Sequence, residues 1–95
     1  MREGGAWYTS VAPGARRLFR GRHYHRVSLG DGRVIVATRR GRIVLDTPVE
    51  ALRLTQVNRG ILLQVLVRDE SSRTHVFEFR PRRHAAGREL ADALR

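Results

Sequence analysis

The side chains with the widest chemical reach in this sequence are arginines, and they gather where the chain reverses. A guanidinium presents its N–H groups as a rigid fork that fits phosphate or carboxylate oxygens, so the chemistry on offer is anion recognition. Read as hairpins, the breaks alternate in sign. Arg20-Gly21-Arg22, Arg39-Arg40-Gly41-Arg42, Asn58-Arg59-Gly60 and Arg80-Pro81-Arg82-Arg83 are basic; Gly30-Asp31-Gly32, Asp46-Thr47-Pro48 and Asp69-Glu70-Ser71-Ser72 are acidic. In an up-and-down meander, alternate turns lie at the same end of the sheet. One rim is therefore expected to carry the anion-binding candidates Arg20, Arg22, Arg39, Arg40, Arg42, Arg59, Arg82 and Arg83, with Arg80 beside them. The other should hold Asp31, Asp46, Asp69 and Glu70, roughly balanced by Arg33 and Arg73.

Other chemistry finds little footing. His23 and His25 stand at i, i+2, a spacing that projects both imidazoles to one face of a strand. A third metal ligand is missing by spacing, since His75 and His84 stand apart with no carboxylate near either in sequence. Ser10, Ser28, Ser71 and Ser72 lie in flexible or turn contexts without the strained elbow that exposes a nucleophile. Glu78 and Glu89 have no neighbouring acid for paired acid–base work. Gly30-Asp31-Gly32 reads as a turn, not a phosphate loop. No catalytic activity, metal or cofactor is expected.

The elements that must position the arginines are short strands. Ninety-five residues make one domain with one core, burying roughly 60–65% of the unfolded surface. Residues 1–14 are Gly-rich and end in Ala12-Pro13-Gly14, which reads as a flexible lead-in to a single domain over 15–95. Trp7 and Tyr8 are the exceptions, large rings that either fold back over the core or meet a protein partner. From Arg16 the pattern turns strand-like. Residues 23–29 alternate, Arg33 to Thr38 is apolar on both faces, and Ile43-Val44-Leu45 follows Gly41. A bulge near Glu50-Ala51 would let Val49, Leu52 and Leu54 share a core. Ile61, Leu63, Val65 and Val67 form a period-two stripe, and Phe77 and Phe79 point inward. Beyond Pro81 the period changes: Ala86, Leu90, Ala93 and Leu94 recur at helical spacing, predicting a helix over 82–95. Gly87 weakens that helix by roughly 1 kcal/mol relative to Ala, so packing must hold it.

Composition narrows the class. All 19 basic residues are Arg, which points first to a genome rich in G and C; the net charge of +10 is harder to dismiss and favours anionic partners. The absence of cysteine fits a reducing cytoplasm. No apolar run approaches the ~20 residues that span a bilayer, and no apolar stretch follows the charge at the N-terminus, so a cytoplasmic protein, free or peripheral at a membrane, is expected.

A strand meander closed by one C-terminal amphipathic helix resembles the pleckstrin-homology-like superfold. Val36-Ala37-Thr38-Arg39-Arg40-Gly41-Arg42-Ile43-Val44-Leu45, then Thr47-Pro48-Val49-Glu50-Ala51-Leu52, is similar to bacterial PH-like and GRAM-type domains, as is Val76-Phe77-Glu78-Phe79 before Pro81. The resemblance covers residues 16–95. It departs in lacking a Trp in the final helix and in its short, charged first strand, Arg16 to Arg20. It implies a small barrel or orthogonal β-sandwich of six to seven antiparallel strands capped by the helix. It also implies a phosphate pocket at the end that would hold Arg20, Arg22, Arg39, Arg40 and Arg42. Such scaffolds bind varied ligands. The expected function is a non-catalytic binding module, first for a protein partner or self-association, alternatively for an anionic lipid or phosphate ligand, or for nucleic acid.

Overall fold

The computed structural model describes residues 2–15 and 23–95. The fold is mainly β: seven antiparallel strands in one curled, half-barrel sheet, with one helix at the C-terminus. The strands are β1 (Arg2–Val11), β2 (His23–Gly30), β3 (Arg33–Ala37), β4 (Ile43–Pro48), β5 (Arg53–Asn58), β6 (Leu63–Arg68) and β7 (Thr74–Phe79), and the helix α1 spans His84–Ala93. Their spatial order is β4-β3-β2-β1-β7-β6-β5, leaving β4 and β5 as the two edges. β1 is the hinge of the curl: residues 2–8 pair with β2 and residues 7–11 pair with β7.

That placement overturns the lead-in expected over residues 1–14. Ala6 and Tyr8 are buried in the core, and the glycines that suggested mobility serve close approach instead. A Cβ on Gly4 would stand 2.6 Å from the Ala86 methyl of α1, and one on Gly5 would collide with the Tyr24 ring. The strand expected over Arg16 to Arg20 falls outside the described residues.

Strands β2, β3 and β6 follow their hydrophobic alternation, whereas β7 is buried on both faces, Glu78 included, and β4 departs from it with Ile43 and Val44 both exposed. Val27, Val34, Val36, Leu63, Val65, Val67, Phe77 and Phe79 form the core with Leu90, Ala91 and Leu94 of α1. Asp31 (φ 53°) and Gly32 (φ 70°) are both left-handed, the geometry that two-residue hairpins demand. Ile61 departs from its expected stripe, because β6 begins at Leu63 and leaves it in the turn. A single 3-10 turn, Val49–Ala51, replaces the expected bulge; Leu52 is still buried, with Val49 and Leu54 packed against the core. The helix is shorter than expected and follows a 3-10 turn, Pro81–Arg83. Ala91, not Ala93, completes its buried stripe. Gly87 lies so close to Leu63 and Phe79 that a Cβ there would approach both within 2.7 Å. The lost helix propensity is thus exchanged for close packing of α1 on β6 and β7.

Candidate functional site

The β3–β4 turn, Thr38 to Arg42, folds back over the start of β2 and encloses an open cleft of about 690 Å³. It is lined by His23, Tyr24, His25, Thr38, Arg39, Arg40 and Arg42. The turn is built locally. The Gly41 N–H donates to the Thr38 carbonyl at 2.9 Å, the Arg42 N–H donates to Thr38 Oγ1 at 3.1 Å, and Gly41 takes the left-handed conformation (φ 88°). Tying the backbone through Thr38 leaves the guanidinium groups on either side of Gly41 to the solvent. Among the described residues, none of Arg39, Arg40 and Arg42 forms an ion pair.

Aromatic rings orient the arginines at this end. Tyr24 lies over Gly5 of the neighbouring strand, which has no side chain to lift it. The Arg39 guanidinium sits 5.5 Å from the Tyr24 ring centre. Arg80 lies between two rings, 5.2 Å from Tyr24 and 5.4 Å from Trp7. Stacking on a ring face restrains a guanidinium while leaving its N–H edge free for an anion. Trp7 is thus a partner of Arg80 within this chain. Tyr8, the other ring proposed for protein contact, is buried, and that reading of Tyr8 is corrected by its place in the core. The role of Arg80 had a sequence signal only in its neighbourhood: it follows β7, whose Glu78 pairs in register with Trp7.

The remaining described candidates, Arg59, Arg82 and Arg83, do not line this cleft. Arg82 and Arg83 are exposed in the 3-10 turn just after Arg80. Arg59 is exposed in the β5–β6 turn, which is fastened to α1 where the His84 Nε2–H donates to the Ile61 carbonyl at 3.0 Å. Arg20 and Arg22 lie outside the described residues. His25 is buried, and its Nδ1–H donates to the His23 carbonyl at 2.7 Å.

The turns of acidic character meet elsewhere. The Val49 N–H donates to the Gly32 carbonyl at 2.8 Å, joining the β2–β3 turn to the end of β4. Glu50, Asp69 and Glu70 line one cleft there, with Arg53 and Arg68 among them, so this end is mixed in charge and not simply acidic. Arg33 Nε donates to Asp46 Oδ1 at 2.8 Å. His75, expected to lack a carboxylate partner, has one. Its Nε2–H donates to Asp69 Oδ2 at 2.8 Å, and its Nδ1 accepts from the Tyr8 hydroxyl at 2.7 Å. A carboxylate only accepts, which fixes the hydrogen on Nε2 and leaves Nδ1 for the tyrosine. Burial pushes the Tyr8 hydroxyl from 10.0 up to about 12, against smaller opposing effects of Ser10 and Arg73. Desolvation pushes the Asp69 carboxyl up, but hydrogen bonds from His75 and from the backbone of Arg73 and Ser71, with attraction to the His75 ring, outweigh it. The carboxyl is held below its ordinary value.

No protein-family model matches this chain, and no characterised protein matches it.

Proposed function

We propose that the protein is a non-catalytic binding module of PH-like type whose β2/β3–β4 cleft takes an anionic, oxygen-rich group, phosphate first. One observation carries this reading. Arg39, Arg40 and Arg42 face a common cleft of about 690 Å³, beside His23 and Tyr24, with no carboxylate of the described residues neutralising them. Converging guanidinium groups raise the local potential and the encounter rate with anions, and their forks match phosphate oxygens. The scaffold resemblance supports the location, since the loops at this end line the phosphate pocket in PH-like domains. A protein partner is the second reading. It is favoured by Ile43 and Val44, which are exposed on the unpaired edge strand β4, because a free edge accepts another strand.

The test compares two charge reversals of equal size. Arg39→Glu with Arg40→Glu should abolish binding to inorganic polyphosphate, whereas Arg33→Glu with Arg73→Glu should weaken it only modestly. The field of an exposed charge fades over a Debye length of roughly 8 Å at physiological salt, and strands of about six residues span roughly 20 Å. Equal losses from the two pairs would mean that binding follows overall charge and would sink the cleft.

A further inference from the structure

We propose that His25 is a proton-linked contact of this cleft. Its Nε2 takes up a proton as a phosphate-bearing anion enters and then donates to that anion, so binding tightens as pH falls through the histidine range. The inference rests on the anion-binding reading of the cleft and adds to it a residue and a mode of regulation.

A carbonyl only accepts, so the 2.7 Å bond to the His23 carbonyl places a hydrogen on Nδ1 of His25. The neutral ring then carries its lone pair on Nε2. Among the described residues Nε2 has no hydrogen-bond partner, and none of their buried side-chain nitrogens lacks one. Nε2 therefore stands where water reaches it, although the residue as a whole is only 7% exposed. That opening is the cleft, which His25 lines together with Arg39, Arg40 and Arg42. A lone pair turned toward an anion repels it, whereas an imidazolium N–H at the same place gives a charge-assisted hydrogen bond.

The groups packed around this ring leave it free to respond. On β1, Tyr8 meets it edge-on with centroids 5.3 Å apart, and the Tyr8 hydroxyl, pushed up to about 12, keeps its proton throughout the histidine range. On β7, His75 stacks against Tyr8 and is held by Asp69 in the β6–β7 turn. On β2, His23 is exposed at the edge of the cleft beside Tyr24. The β3–β4 turn supplies the three arginines, which stay cationic. No carboxylate lines the cleft, so the incoming anion is what supplies the counter-charge for an imidazolium at this position. Binding that favours the protonated ring takes up a proton. By linkage, affinity then rises as pH falls, by at most about one decade per pH unit for one proton.

Long-chain inorganic polyphosphate is the probe, because its internal phosphates stay ionised over the whole range. Calorimetry in two buffers of different ionisation enthalpy counts the protons. The parent should take up protons on binding near neutral pH and bind roughly tenfold more tightly at about pH 5.5 than at about pH 8. His25→Asn keeps an amide N–H for the His23 carbonyl but cannot titrate. It should lose most of the pH dependence while holding the affinity seen at the alkaline end. His23→Gln, which removes the exposed imidazole of the same cleft, should keep most of it. Because replacing a buried ring can unfold the chain, ring-nitrogen NMR of the parent gives an independent reading: with polyphosphate bound, Nε2 of His25 should gain its proton at a higher pH than without it. Binding without proton uptake overturns the proposal. So does a pH dependence that survives His25→Asn or vanishes with His23→Gln, or an Nε2 that titrates identically with and without polyphosphate. In each of those cases polyphosphate still binds and the anion-binding reading stands; if it binds at neither pH, both fall.

Discussion

Arg33 begins strand β3 and Arg39 follows its end, yet the fold treats them in opposite ways. Arg33 is spent on Asp46 at 2.8 Å. Beside the β6–β7 turn, Arg73 donates from its side chain to Ser10 at 3.1 Å and from its backbone to Asp69 at 3.0 Å, and Asp69 also holds the buried Tyr8–His75 pair. At the far end, Arg39 and Arg80 lie on aromatic rings, and Arg40 and Arg42 meet no acid among the described residues. Charges closed on partners contribute to stability and specify geometry; charges left open contribute field. Under the proposed function the difference is a division of labour, the tied residues holding the sheet and the open turn meeting anions. Substitutions should therefore separate stability from binding.

The largest effect is expected from His75→Ala. The ring is buried between Tyr8 and Asp69 and stacks on Tyr8, with centroids 5.9 Å apart. Its removal leaves a cavity and strips the tyrosine hydroxyl of its imidazole partner, for a loss of roughly 2–5 kcal/mol. Urea denaturation would measure it, and polyphosphate affinity of the folded variant should match the parent. A binding defect as large as the stability defect would break the division between the ends.

This tied network was the part least visible in the sequence. Strands β2, β3 and β6, the inward Phe77 and Phe79 and the closing helix were legible because period-two and helical spacing report burial directly. Arg39, Arg40 and Arg42 were legible because a glycine-bearing turn between strands must be exposed. β1 was not, because Gly4 and Gly5 read as loop until Ala86 and Tyr24 are seen to need their missing side chains. Nor was the Asp69–His75 bond, since it spans the β6–β7 turn and depends on the Asp69 backbone contacts that close it. Arg80 stood among the basic turn residues, but its position between Trp7 and Tyr24 depends on β1 being the central strand.

A second, smaller effect belongs to pH. With the Tyr8 hydroxyl at about 12 when folded and 10.0 as its ordinary value, the unfolded chain gives up that proton first as pH rises. Stability from this group is intact below pH 10 and is lost between there and about 12, an effect on the order of 2 kcal/mol. Tyr8→Phe should remove that alkaline limb. Asp69 works in the opposite direction: its depressed carboxyl contributes stability above the ordinary aspartate range, and this is lost as pH falls through the folded value. Asp69→Asn should flatten the acid limb of a thermal-melt series. An unchanged acid limb would show that Asp69 is not held by its bonds to His75, Arg73 and Ser71.

The smallest effect concerns the open end and is the most discriminating, because its sign differs from that of a usual surface substitution. Arg40→Gln removes one unpaired cation from a chain of net charge +10. A surface change away from buried features ordinarily stays within about 0.5 kcal/mol. Here, relief of repulsion among Arg39, Arg40 and Arg42 should make it neutral to slightly stabilising at low salt, and the gain should shrink as salt screens the cluster. Arg33→Gln, in contrast, opens an ion pair and should be neutral to slightly destabilising, again with a salt dependence that fades. Melting both variants across a salt series compares the signs directly. If Arg40→Gln destabilises and Arg33→Gln does not, the arginine turn is itself part of what holds the sheet, and its freedom from acids would no longer speak for a ligand.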